Sequence, residues 1–188
     1  MSQAQAYVHW TDPWRRAQDA TQLMYGASVG RHVDQLATPA LIADLDVVER
    51  NIATMSQSLH LAGTALRPHT KVQKSPDLAR LQCKAGAIGV TVATVWEAAA
   101  MAAAGIDNIL IANEVVGETK VRALAALAGE ARLLVAVDDE RNVREISAAM
   151  SRNGSSVEVL IDLDVGMARC GARSLDASIR LAEIVEAS

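Results

Sequence analysis

The chain has 188 residues, of which 51% are hydrophobic and only 3% aromatic, and a net charge of −4. That length fits one domain, and with no Phe the core must be aliphatic, as in packed helices or buried parallel strands. The charges are interspersed without a basic stripe, which argues against nucleic acid and anionic membrane surfaces as partners.

No run reaches the roughly 18 apolar residues of a spanning helix, so a membrane location is not expected. The N-terminus shows no charged-then-apolar signal pattern. Cys83 and Cys170 offer neither a disulfide framework nor a paired metal spacing, and the simplest compartment is the reducing cytoplasm. His9, His32, His60 and His69 are scattered, so no metal site is expected within these residues.

Residues 1–37 hold two of three Trp and both Tyr without a regular period. They read as an N-terminal extension with one short helix around Trp14–Met24. From Thr38 short apolar runs alternate with Ala-rich helical stretches. Ala40–Asp44 reads as a strand and Asp46–Ala62 as a helix ended by Gly63. Ala65–His69 reads as a second strand. Ser75–Ala85 is a helix with Ser75 as cap, Pro76 at its first position and Gly86 at its end.

Strand and helix then alternate four times. The strands are Ile88–Val92, Asn108–Ala112, Arg132–Val137 and Val157–Leu163. The helices are Val95–Ala104, Glu118–Ala128, Glu140–Asn153 and Leu175–Ala187. Strands that are apolar on both faces and separated by helices of 10–15 residues imply right-handed βαβ units in a parallel sheet. No G-x-G-x-x-G turn follows the first strand, which disfavours a dinucleotide fold. The fold class expected is α/β, a partial (βα)8 TIM-like barrel over residues 38–188.

In such barrels function gathers at the C-terminal ends of the strands. Those ends carry Arg67-Pro-His69-Thr-Lys71-Val-Gln-Lys74, Thr94 with Glu97, Asn113-Glu114, Asp138-Asp139 and Asp162 through Gly171. Asp138, Asp139 and Glu114 are explicable as loop and cap residues. Arg67, His69 and Lys71 beside a buried strand are not, because clustered cations cost desolvation unless an anionic ligand compensates.

Leu66-Arg-Pro-His69-Thr-Lys71-Val-Gln-Lys74 resembles the cofactor-lysine motif of the D-threonine aldolase and D-serine dehydratase family of alanine-racemase-like pyridoxal-phosphate enzymes. Gly89–Ala98, Ala104–Val116 and Ile161–Gly171 resemble further motifs of that family in the same order. The resemblance covers about Thr38 to Ser188. It implies a barrel of the alanine racemase N-terminal type, with pyridoxal 5'-phosphate bound through a Schiff base to Lys71. Arg169 would sit by the phenolic oxygen of the pyridine ring, and His69, Thr94 and Asn113 would line the site. Gln73 stands where the family usually has a second His, which leaves a proton-transfer role at that position without its group.

The resemblance also implies that Ala40–Asp44 pairs with a C-terminal β-domain and that five of eight barrel strands are present. A histidine-containing site for a divalent metal would then lie outside this chain, which would be a fragment or truncated product of an enzyme that is a homodimer at full length. The expected reaction is aldol cleavage or dehydration of a 3-hydroxy D-amino acid. A racemase of the same superfamily, a non-catalytic pyridoxal-phosphate-binding protein and an inactive truncated product are the alternatives. The open sheet edges, Ala65–His69 and Val157–Leu163, are expected to make the isolated chain associate.

Lys71 rather than Lys74 is expected to carry the cofactor. His69 and Lys71 share one face of a continuing strand. Lys74 adjoins the helix start and should point to solvent. Positive charge from Arg67 and His69 would favour the free amine needed for attack.

Overall fold

The computed structural model describes Gly26 and residues 28–188. The helix read at Trp14–Met24 and His9 lie outside the described residues. Chain contacts separate a first unit ending at Leu45 from a second spanning Asp46–Ser188.

In the first unit, a 3-10 turn over Val33–Gln35 is capped by the His32 side chain. The strand expected at Ala40–Asp44 is not formed. Leu41 is 96% exposed, where a sheet strand would have covered it.

The second unit is built around a four-stranded parallel sheet in the order β1-β2-β3-β4. The strands are β1, Val90–Val92; β2, Asn108–Glu114; β3, Arg132–Val137; and β4, Glu158–Ile161. The helices are α1, Leu45–Leu61; α2, Pro76–Lys84; α3, Val95–Ala103; α4, Glu118–Leu127; α5, Glu140–Asn153; and α6, Leu175–Glu186. Each sheet neighbour follows its predecessor through one helix, as the alternation predicts.

Local chemistry sets the boundaries. Ser75, Thr94, Asp139 and Ser174 each cap a helix through a side-chain oxygen. Gly154 ends α5 in the left-handed conformation, φ 64°. The side of the sheet facing the helices is dry. Val90, Val92, Ile109, Ile111, Val135 and Val137 are fully buried there, beneath Met101, Leu124, Ile146 and Leu181. The opposite side is the inner face of a barrel arc. Its Leu110, Leu134 and Ala136 are only half-buried, and Leu160 is exposed.

The strand expected at Ala65–His69 reduces to one parallel bridge, His69 with Thr91. The Thr91 N–H donates to the Pro68 carbonyl at 2.7 Å, and the Thr70 N–H donates to the Thr91 carbonyl at 2.8 Å. One step earlier a parallel ladder would need an N–H from residue 68, and Pro68 has none. The segment therefore lies along β1 as a fifth edge without forming a full strand. β4 is also shorter than expected; beyond it the Asp162 N–H still donates to the Val137 carbonyl at 2.9 Å, and Leu163 pairs with Ala172.

Candidate active site

The site residues stand on the loops that leave the C-terminal ends of the sheet. The turn after the His69 bridge is fixed at both ends. Thr70 is 1% exposed, and its hydroxyl as well as its N–H donates to the Thr91 carbonyl. The Lys74 N–H closes back onto the Thr70 carbonyl at 2.8 Å. Lys71 and Val72 stand exposed on this turn. The Lys71 N–H donates to Nδ1 of His69 at 3.3 Å. With Nδ1 accepting, the neutral ring of His69 carries its proton on Nε2. Burial, and then the charge of Lys71, hold the His69 pKa below its ordinary value.

Lys74 is 63% exposed, in line with the solvent-facing lysine expected, but it also has a partner. Its Nζ lies 3.1 Å from Oε1 of Glu97. The other oxygen of Glu97 accepts the Ala93 N–H at 2.7 Å, while the Glu97 N–H donates to Oγ1 of Thr94 at 3.2 Å. Burial pushes the Glu97 carboxyl up, but the Ala93 N–H and Lys74 outweigh it and hold the pKa below the ordinary glutamate value.

Thr94 is thus a helix cap, with its hydroxyl engaged by α3. Asn113 sits in a bulge, where the β2–β3 register passes from Ile111 opposite Val135 to Glu114 opposite Ala136. Its amide donates to the Ala93 carbonyl at 3.3 Å and its carbonyl accepts the Glu114 N–H at 3.1 Å. Asn113 therefore ties the Glu97 loop to a second cluster after β2 and β4.

That cluster holds Glu114, Asp162 and Cys170, whose ligand atoms lie within 4.8 Å of one another, and Arg169 beside them. The Cys170 contact and then the charges of Asp162 and Glu114 hold the Arg169 pKa above its ordinary value. The loop carrying Arg169 is closely folded. Oδ1 of Asp164 accepts the N–H groups of Gly166 and Ala168 at 3.0 and 2.9 Å, and these bonds hold its carboxyl pKa down. Oδ2 of Asp138, at the end of β3, accepts the Gly171 N–H at 2.9 Å. A Cβ on Gly171 would lie 2.5 Å from the Asp164 nitrogen, so the loop needs glycine there.

The candidate residues thus fall into two groups joined through Asn113: His69, Lys71 and Thr94 on one side, Arg169 on the other. Arg67 belongs to neither. Its guanidinium donates to the Asn108 carbonyl at 3.2 Å, at the N-terminal end of β2, so the expected cationic cluster around Lys71 does not form. Three features were missed in the sequence. Lys74–Glu97 joins residues of different elements, Glu114 was read as a cap, and Cys170, for which the sequence suggested no partner, is half-buried beside two carboxylates. The closeness of Asp162 and Cys170 in one motif was the available signal for the last. A groove of about 1130 Å³ lies between α4 and α5 on the outer surface, away from these groups. The mouth of the arc is instead an open shelf, because the sheet does not close around it.

Residues 43–188 match the model of the alanine racemase N-terminal domain, and the chain belongs to that family. Among characterised relatives, it is 40% identical over 145 residues to a D-threonine aldolase from an Arthrobacter species, covering 77% of this chain and 38% of the relative. It is 36% identical over 161 residues to the 3-hydroxy-D-aspartate aldolase of Paracoccus denitrificans, covering 85% and 42%. Among solved structures, D-threonine aldolase from Filomicrobium marinum matches with a TM-score of 0.80 and 45% identity, over 82% of this chain and 42% of that one. A metal-free C353A mutant of D-threo-3-hydroxyaspartate dehydratase matches with a TM-score of 0.70 and 36% identity, over 80% and 41%. The chain therefore spans about two-fifths of the length of these relatives. Among the described residues no helix is long and apolar enough to cross a membrane.

Proposed function

We propose that residues 38–188 are the lysine-bearing part of a pyridoxal-phosphate-dependent lyase that acts on 3-hydroxy D-amino acids, with residues 1–37 as an extension. The observation that carries the reading is the Lys71 turn: an exposed primary amine, next to a neutral-leaning histidine, at the C-terminal end of a parallel sheet. The relatives' names, two aldolases and a dehydratase, support the substrate class.

The donor set fits the cofactor. Lys71 supplies the amine for its aldehyde. Arg169, held cationic among Glu114, Asp162 and Cys170, supplies a positive partner for its phenolic oxygen. Asn113 presents a polar side chain between the two groups. The bound cofactor supplies an electron sink that weakens bonds at the amino acid's Cα. This chain's residues would hold and orient it. Lys71 would give up its place on the aldehyde to the substrate's own amine and regain its free amine, and His69, two residues away, would hold a proton on Nε2. A divalent metal and its ligands outside this chain, a cytoplasmic location and a homodimeric full protein belong to the same proposal.

The test is chemical. The full protein loaded with pyridoxal phosphate is reduced with borohydride and mapped by peptides. The label is expected on Lys71; recovery on Lys74 overturns the assignment. Incubation with D-threonine and with D-threo-3-hydroxyaspartate then sorts the reaction. Aldol cleavage gives glycine and an aldehyde from the first, and dehydration gives ammonia and a 2-oxo acid from the second.

A further inference from the structure

We infer that Lys74 and Glu97 form a latch that positions Lys71, so that both are positioning residues of the site. The inference rests on Lys71 as the cofactor-bearing residue.

Three observations carry it. First, Lys74 has φ 46°, a left-handed backbone that a residue with a Cβ adopts only when something holds it there. No glycine stands at this corner, although one would suit the conformation better. The residue present is one whose long side chain reaches the neighbouring loop.

Second, Glu97 is used beyond its capping role. The first turn of α3 is already served by the Thr94 hydroxyl, and the Ala93 N–H takes Oε2 of Glu97. Oε1 is left over, and it is this atom that meets the Lys74 ammonium at 3.1 Å. An ion pair between two mobile surface chains does little, because both must be immobilised. Here the Glu97 side chain is 15% exposed and already fixed, so only the lysine, 63% exposed, has to be ordered. The low pKa of Glu97 keeps it charged throughout the neutral range.

Third, the latch closes a turn whose other end is already anchored. Thr70 is tied to β1 by two bonds to the Thr91 carbonyl, and the Lys74 N–H returns to the Thr70 carbonyl. Residues 71–73 are all that lies between these fixed points. Without the Lys74–Glu97 pair, the C-terminal end of the turn is held by the backbone alone. Lys71 stands directly after the Thr70 anchor, so its reach toward a ligand depends on that closure.

The experiment uses the full protein chain and two readouts. Amide exchange at residues 71–74 without cofactor reports the turn itself. The rate at which borohydride fixes pyridoxal phosphate on Lys71 reports its consequence. Glu97→Gln keeps an acceptor for the Ala93 N–H, and Lys74→Asn keeps a residue tolerant of positive φ, so neither variant disturbs the cap or the corner. Each is expected to raise exchange at the Lys74 amide about tenfold and to slow labelling about five- to tenfold. The double variant should match either single one, because both break the same contact. Lys74→Arg should restore both readouts. Wild-type rates in Lys74→Asn, multiplied losses in the double variant, or no rescue by arginine overturns the latch. If the wild-type label appears away from Lys71, the cofactor reading falls, while the exchange data still decide whether the latch exists.

Discussion

The two ends of the sheet use the same kinds of side chain in opposite ways. At the N-terminal end, charges and amides close on one another. Arg67 donates to the Asn108 carbonyl, the Asn108 amide donates to the Ile88 carbonyl at 2.6 Å, and Arg132 forks onto Glu158 at 2.6 and 3.1 Å. At the C-terminal end, Lys71 and Arg169 stand exposed on loops whose backbones are pinned by Thr70, Asp138 and Asp164. One end spends its polar groups on structure. The other fixes the loops and leaves Lys71 and Arg169 presented, at the end where ligands bind in barrels.

The strongest test of that contrast is Lys71→Ala. The side chain is exposed and holds nothing together, so thermal stability should stay at the wild-type value. Cofactor labelling should vanish, and lyase activity of the full protein should drop by roughly three orders of magnitude or more. A stability loss with activity retained would reverse the roles assigned to the two ends.

The complementary test is Gly89→Ala at the structural end. Gly89 has φ 155°, and a Cβ there would lie 2.2 Å from the Asn108 carbonyl oxygen and 2.6 Å from the Arg67 guanidinium. The carbonyl belongs to β2, whose register against β1 pairs Val90 with Ile109, so the backbone has little freedom to withdraw. A loss of about 3 kcal/mol is expected in denaturant unfolding, with labelling at Lys71 preserved in the folded fraction. Wild-type stability would show that the N-terminal layer is looser than its hydrogen bonds imply.

Much of this contrast was legible in the sequence. The boundaries of β3 and α5 were read without error, because apolar alternation, an Asp cap and a terminal glycine all agree there. Ala40–Asp44 failed because an apolar run becomes a strand only beside a partner edge, which sequence pattern does not supply. Ala65–His69 failed at Pro68, a local chemical fact that was visible and underweighted. In the site, Lys71, Asn113 and Arg169 were found at strand ends. Arg67 was misplaced because alternation gives the face of a side chain but not the end toward which it reaches. The Lys74–Glu97 pair needed two loops to meet, and no spacing along the chain announces that.

Acid should act on the C-terminal end in two steps. Glu97 has a folded pKa below its ordinary 4.5, so its stabilising contribution is complete above that value and is lost as pH falls through the lower folded one. His69 has a folded pKa below its ordinary 6.5, so the unfolded chain takes up its proton first, and stability already declines as pH drops below 6.5. Melting temperature followed from pH 8 downward should therefore fall in two stages. Glu97→Gln should remove the more acidic stage and leave the other. A variant with both stages intact would mean that the carboxylate is not held as described.

The smallest effect belongs to Glu158→Gln. Its fork with Arg132 is geometrically good, yet both side chains are more than half exposed, at 52% and 59%. Solvent screens such a pair, and the amide keeps one acceptor for the guanidinium. The counter-argument is Arg67. Its pKa is held down first by burial and then by Arg132, while Glu158 acts in the opposite direction, so removing the acid leaves two guanidinium groups facing each other. Arg132 can relieve this by turning into water, whereas Arg67 stays on the Asn108 carbonyl. The relief should win, and the midpoint should move by about 2 °C or less, with the difference fading in salt. A larger, salt-resistant shift would mean that Glu158 neutralises Arg67 directly. The N-terminal layer would then be a closed charge network rather than a set of separate bonds.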